Sequence, residues 1–486
     1  MGLAIAGAGF AGACGGSDRD FASTEPQGGD AGARGEPEVT AGTGASSGSS
    51  GGKAALGEGG TGGSDNTMGG APEGAAGAAG AASVPTPDCP DGYSDWLSAS
   101  FAFPDGDVIG TADFPSYPWV PNGALEIKSA RLQGVGTAIV SQGSAFPTDG
   151  ARIRFRARFT DSKQTVTVAA NTAADGAGGL RVTLDAAGEL IVGEGQAVRG
   201  QSSLEPLESD VDWFVEVVFK GTEAAATVSA KNYPGGAGSQ LKAELNATGL
   251  KGTTAGLKAS VRLDSEAGIS PALDELSIAR CGAEPPAYEA KLIDTFERAN
   301  SASLGKAEFP ANTTWVTADP EIKIVDGALQ TAGNLKASSV PLEVTLAGLR
   351  IRTTVRAVSS GNSPFLWANV NFNVPKEATG LPAQGFWVWG GPTEAKFYTG
   401  LFTGGGELGH NGSASPAEKY FVQMDRDGDA AVIAVRSQSF EGPILGAQFA
   451  DKLMPNAYPG TYLTVGDAGG DGTRFEDIRV DNYPSP

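Results

Sequence analysis

The side chains that most often do chemistry are scarce here or badly spaced. The single histidine, His410, sits in LGHNGS, which reads as a loop, so a Ser–His–acid triad or a metal site would rest on it alone. Glu476 and Asp477 are adjacent in sequence, as are Asp274 and Glu275. Adjacent strand residues face opposite ways, so neither pair offers two carboxylates across one scissile bond. The run DRDGD gathers Asp425, Asp427 and Asp429, but its glycine, Gly428, stands fourth rather than sixth, and a β-hairpin turn accounts for it. With Asp467 and Asp471 as a second acidic loop, Ca2+ stays open as a cofactor at these residues, and no other cofactor is indicated. The sequence leans away from catalysis and names no catalytic residue.

Recognition is better supplied. The stretch QGFWVWGG, residues 384–391, sets Phe386, Trp387, Val388 and Trp389 in a row, in a chain with seven tryptophans. A strand with one wet face should alternate apolar and polar residues. This one does not, so either both its faces are buried or something outside the core uses Trp387 and Trp389.

The elements that would position these residues come from a diverged internal repeat. IGTADFPSYPWV (109–120) aligns with LGKAEFPANTTWV (304–316), and DGARIRFRARFTDS (149–162) with AGLRIRTTVRAVSS (347–360). Further on, DWFVEVVFKGTEAAATVSA (212–230) pairs with KYFVQMDRDGDAAVIAVRS (419–437), and ALDELSIARC (272–281) with RFEDIRVDNY (474–483). The order holds at an offset of about 200 residues, which makes two copies of one fold, 89–284 and 285–486. Each copy reads as all-β. Ile153, Phe155, Ala157 and Phe159 alternate with Arg152, Arg154, Arg156 and Arg158, which is period two rather than 3.6. Turn residues such as KGTE and DRDGD separate the strands, and many short strands in a unit of this size predict a sandwich of two antiparallel sheets.

Bulk composition removes several function classes. Formal net charge is -21, so attraction to nucleic-acid phosphates or to an anionic bilayer by overall charge is not expected. No window holds eighteen consecutive apolar residues, so no transmembrane helix is indicated. The start, MGLAIAGAGFAGACGGSDRD, resembles the end of a bacterial lipoprotein signal, in which small residues precede a cysteine that is lipidated, here Cys14. Ala11 replaces the usual Leu and no basic residue precedes the apolar run; a start upstream of Met1 would supply one. An ordinary export signal or a disordered tail is the alternative reading. Residues 15–88, rich in Gly, Ala, Ser and Thr, cannot bury enough surface to fold and read as a disordered linker. Its flexible reach is about 45 Å. The expected location is the cell envelope, lipid-anchored at the outer membrane or cell surface, or else secreted or periplasmic.

LIDTFERANSASLGKAEFPANTTW, FEDIRVDNY and the hairpin YFVQMDRDGDAAVIAV resemble strands of the concanavalin A-like, or laminin-G-like, jelly-roll family. The resemblance covers nearly all of both copies. It implies two tandem jelly-roll sandwiches and a carbohydrate-binding or adhesive module, with glycoside hydrolases and keto-disaccharide hydrolases among relatives. The hydrolases carry a Glu-x-Asp-x-x-Glu-like run, which this chain lacks. In such a jelly roll the first and last strands lie close, so the resemblance implies a bridge between Cys89 and Cys281; two unpaired thiols are the alternative.

Comparing copies divides the aromatic stretch. Aligning GGLRVTL (178–184) with QGFWVWG (384–390) puts Leu180 and Val182 opposite Phe386 and Val388, and Arg181 and Thr183 opposite Trp387 and Trp389. One strand earlier, Thr167, Ala169 and Asn171 align with Phe365, Trp367 and Asn369. Phe365, Trp367, Trp387 and Trp389 are therefore expected on the face away from the core, where aromatic rings stack on sugars. Asn369, Asn371, Gln384, Tyr398 and Arg352 are the expected polar contacts. The expected partner is a polysaccharide or other glycan; a face covered by a loop or by the first copy is the competing reading, with a structural or adhesive envelope protein as its functional form. The arginine ladder of the first copy could grip an acidic polysaccharide, or could pair across strands with carboxylates such as Glu216 or Asp185.

Overall fold

The computed structural model describes Cys89 and residues 92–483, apart from 267–268, 283–286, 318, 332–336, 359–365, 377–384, 391–396, 402–417, 452–458 and 468–471. Cys14 and the segment 15–88 lie outside these residues.

Every named element among the described residues is a strand, and every strand pairing is antiparallel. Among the described residues, the first copy holds thirteen strands in one continuous sheet that folds over its own core, and the second holds sheets of eight and five strands. Period two explains the layers. In Ala151–Arg158, Ile153, Phe155 and Ala157 are fully buried while the arginines between them face out. They join Val215, Val217, Val166, Val168 and Val182 in one hydrophobic cluster. In the second copy Ile351, Val355, Val422 and Ile433 of the eight-stranded sheet meet Leu366, Ala368, Val370, Phe386 and Val388 of the five-stranded one. Each buried Val, Ile, Leu or Phe among them contributes about 1.5–3 kcal/mol by leaving water. The all-β class with large antiparallel sheets is the one expected from the sequence.

The two copies share details that no composition argument would supply. Ser98 bridges to Phe114 as Ile293 does to Phe309, and both phenylalanines precede a cis proline. Phe101 and Phe296 both adopt positive φ, and Trp119 and Trp315 both donate a backbone N–H to a glycine carbonyl, Gly110 or Gly305, at 3.0 Å.

Cys89 and Cys281 form a disulfide with Cα atoms 5.6 Å apart, closing a loop of sequence separation 192. The bridge sits where Tyr93 pairs in register with Cys281. By constraining the unfolded chain it stabilises the first sandwich by about 2–4 kcal/mol.

The sandwiches also meet directly. Tyr483, from the end of the second copy, lies in the hydrophobic cluster of the first, edge-on to Tyr117 at 5.5 Å, Phe114 at 5.8 Å and Tyr288 at 5.4 Å. The Ser116 N–H donates to Tyr288 Oη at 2.8 Å, and Lys258 pairs with Asp427 at 3.0 Å. Gly143 and Gly348, both at positive φ, leave room for Tyr483: a Cβ at Gly143 would come within 2.8 Å of its ring, and one at Gly348 within 2.8 Å of its Cβ.

Candidate functional site

The aromatic stretch lies on the five-stranded sheet, in the spatial order Ala337–Pro341, Tyr462–Asp467, Leu366–Val374, Gly385–Gly390 and Phe397–Leu401. Phe386 and Val388 are fully buried in the core, so alternation turns Trp387 to the opposite side, where it is half-buried. Cross-strand register sets Trp387 against Asn369 and Gly400, and Trp389 against Trp367 and Tyr398. Strand parity assigns Trp387 and Asn369 to the side of the sheet away from the core. Phe365 and Gln384 lie outside the described residues, as do the side chains of Trp367, Trp389 and Tyr398.

Beside Trp387, Asn369 and Asn371 are 8% and 2% exposed, and Asn371 Nδ2 donates to Asn369 Oδ1 at 2.9 Å. Asn371 Oδ1 has no hydrogen-bond partner among the described residues. An unmet buried acceptor costs about 1–3 kcal/mol, so this carbonyl is a place where a donor would bind favourably. Gly385, in register with Asn371, is held to a bare backbone: a Cβ there would come within 2.8 Å of that Oδ1 and 1.9 Å of the Val370 carbonyl oxygen.

Arg352 does not join this group. It stands on Leu349–Ala357 of the eight-stranded sheet, 3.6 Å from Asp481 and stacked over Phe440 at 5.4 Å. Alternation correctly turned it outward, but the outward side of that sheet is the opposite side of the sandwich.

The repeat alignment also shifts. Asn171 and Asn373, both at positive φ, make the same contacts: each side-chain oxygen accepts a backbone N–H, from Phe146 or Val344, and each amide donates back to that residue's carbonyl. Asn171 is thus the counterpart of Asn373 and not of Asn369. The register then sets Thr167 and Thr183, hydrogen-bonded at 3.0 Å, where the second copy has Asn369 and Trp387. The slip is even, so it leaves every side chain on its assigned face, which is why alternation alone could not detect it.

The acidic metal candidates are engaged elsewhere. Asp425 accepts from Arg350 Nε at 2.7 Å and from Gln423, Asp427 pairs with Lys258, and Asp467 accepts from Thr331 Oγ1 at 2.6 Å. Asp429 is exposed beside Gly428 in a two-residue hairpin turn, and Asp471 lies outside the described residues. Among the described residues no trio of His, Cys, Asp or Glu could hold a metal ion. These aspartates read as acidic clusters in sequence because their cationic and hydroxyl partners are remote in it.

One concavity escaped the sequence entirely. On the outer face of the first sandwich, a groove of about 340 Å³ is lined by Asp95, Asp113, Arg152, Arg154, Tyr233 and Glu275, among others. Of the arginine ladder, Arg154 pairs with Glu216, Arg156 with Asp274 at 2.6 Å and Arg158 with Asp212 at 2.7 Å. Asp185 instead accepts the Glu189 N–H. Tyr233 Oη donates to Glu275 Oε1 at 2.6 Å; burial, then that carboxylate, pushes the phenol pKa up. Burial likewise raises the Asp113 carboxyl against the hydrogen bond from Ser100. These residues come from separate segments, and nothing local in the sequence brings them together.

No family model matches the chain, and no curated protein does. Among solved structures, it is similar to the VIP36 exoplasmic/lumenal domain in its Ca2+/Man2-bound form, with 10% identity and a TM-score of 0.31 over 40% of this chain and 90% of that one. It is similar to the carbohydrate-binding module CBM66 from Bacillus subtilis, with 10% identity and a TM-score of 0.24 over 33% of this chain and 94% of that one. It is also similar to the Caenorhabditis elegans galectin LEC-6, with 13% identity and a TM-score of 0.20 over 29% of this chain and 88% of that one.

Proposed function

We propose that this chain is an exported envelope protein, anchored by a lipid on Cys14, that binds a glycan without catalysis through its second sandwich. The observation that carries the reading is the outer side of the five-stranded sheet, where half-buried Trp387 adjoins the Asn369–Asn371 pair and its unmet carbonyl. A ring face stacks on an indole while its hydroxyls donate to amide oxygens, and this site offers both. In the backbone register Trp389 is paired with Trp367 and Tyr398.

The test is retention of the full chain on a panel of insoluble and soluble polysaccharides. Trp387→Ala is expected to weaken binding at least tenfold, about 1.4 kcal/mol, with an unchanged melting temperature. The burial of Asn369 and Asn371 favours one rival, in which this face packs against protein. That reading takes over if no glycan is retained and Trp387→Ala lowers thermal stability instead. For the anchor, Cys14→Ser should abolish palmitate labelling in a bacterial host and release the chain from membranes; unchanged membrane association would end that part of the proposal.

A further inference from the structure

The two copies treat one arginine differently. In the second, Arg350 stacks on Tyr288 at 4.4 Å and stands in register between two carboxylates, Asp425 on one neighbouring strand and Asp481 on the other. Asp425 accepts its Nε at 2.7 Å. In the first, Arg152 stacks on Tyr93 at 4.1 Å in the same way, but its register neighbours are Val218 and Ala279.

Arg152 is therefore the member of its ladder with no carboxylate pair among the described residues, and its Nε is buried without an acceptor. Burial, and then the neighbouring Arg154, lower its pKa against the opposing charges of Glu216 and Asp95. A buried donor of this kind invites an anionic acceptor. Arg152 lines the groove, where Arg154 pairs with Glu216, Asp95 accepts from the Ser277 hydroxyl, Asp113 from Ser100 and Glu275 from Tyr233.

We infer that this groove binds a uronate, a saccharide bearing one carboxylate per ring, with that carboxylate held by the Arg152 guanidinium where the groove reaches it. Asp95, Asp113 and Glu275 limit the anionic charge the groove tolerates, which disfavours densely sulfated or phosphorylated chains. Their spare lone pairs, with the serine hydroxyls, suit sugar O–H groups. The site is separate from the Trp387 face and does not depend on it.

Calorimetric titration of the full chain with trisaccharides of galacturonate, glucuronate and mannuronate, each beside its methyl ester, tests this at low salt. Running it in both the native chain and Trp387→Ala keeps the two sites apart. At least one acid is expected to bind in both backgrounds, at least tenfold more tightly than its ester. Val218→Asp, which restores the carboxylate that the second copy carries, should abolish the difference by supplying an internal ligand to Arg152. Arg152→Gln should do the same and serves if Val218→Asp fails to fold. Equal affinity for acid and ester, no binding of any acid, or native-like preference in both variants would overturn the inference. Loss of binding in Trp387→Ala alone would assign the uronate to the second sandwich instead.

Discussion

Replacing Asp294 with Ala is expected to destabilise the second sandwich by about 3–5 kcal/mol, because it removes a fully buried acceptor and leaves the buried Trp315 Nε1 and Phe296 N–H unmet and Arg298 without its counter-charge. Asp294 is fully buried, and it accepts from Trp315 Nε1 at 2.6 Å, Arg298 at 2.8 Å and the Phe296 N–H at 2.8 Å. The first sandwich shows the alternative solution at the same place. There Ala99 replaces the carboxylate and Phe103 replaces the arginine, its ring packed over Gly110, while Trp119 Nε1 has no acceptor among the described residues. Trp119→Phe should accordingly cost far less than Trp315→Phe, since it deletes an unmet donor along with some packing. Urea unfolding of the three variants measures this. A cost below about 1 kcal/mol for Asp294→Ala would mean that water reaches the site and the pair is a surface one.

Tyr483→Ala is expected to cost about 3–5 kcal/mol, the range for emptying a large aromatic from a core. The ring is 2% exposed among Tyr117, Phe114 and Tyr288, so its loss also removes contacts between the sandwiches. Calorimetry should then resolve two transitions, against a single one expected for the native chain. An unchanged single transition would show that the junction is held by Lys258–Asp427 and Tyr288 without it. Alkali gives an independent reading. Burial pushes the Tyr483 and Tyr288 phenols up to about 12, the neighbouring Tyr288 adding to the first and Asp425 to the second. With folded values above the ordinary one near 10, the stability these phenols confer is full below pH 10 and lost as pH climbs toward about 12.

Alternation was the strongest signal in the chain and its limits are visible residue by residue. It placed Ile153 and Phe155 inside, and it separated Phe386 and Val388 from Trp387, because a strand fixes side-chain direction locally. It could not say which outward face Arg352 occupies, since a sandwich has two. It missed the even slip that pairs Asn171 with Asn373. The partners of Arg350 and Lys258 lie 75 and 169 residues away, so the sequence left DRDGD open as a Ca2+ candidate although Asp425 and Asp427 are paired with these cations. The groove around Arg152 and the insertion of Tyr483 are products of long-range packing, and they become legible only when the two copies are superposed in register.

The bridge between Cys89 and Cys281 also determines how the chain bears load. A pull applied ahead of Cys89 crosses the sulfurs to Cys281 and continues into the second sandwich, so the first hangs as a loop beside the line of tension. While the bond is intact, forced extension cannot draw on the 192-residue span it closes. Reduction would put that span into the line and, once unfolded, add roughly 650 Å of slack. The compliance of the molecule under tension is thus set by the oxidation state of one bond.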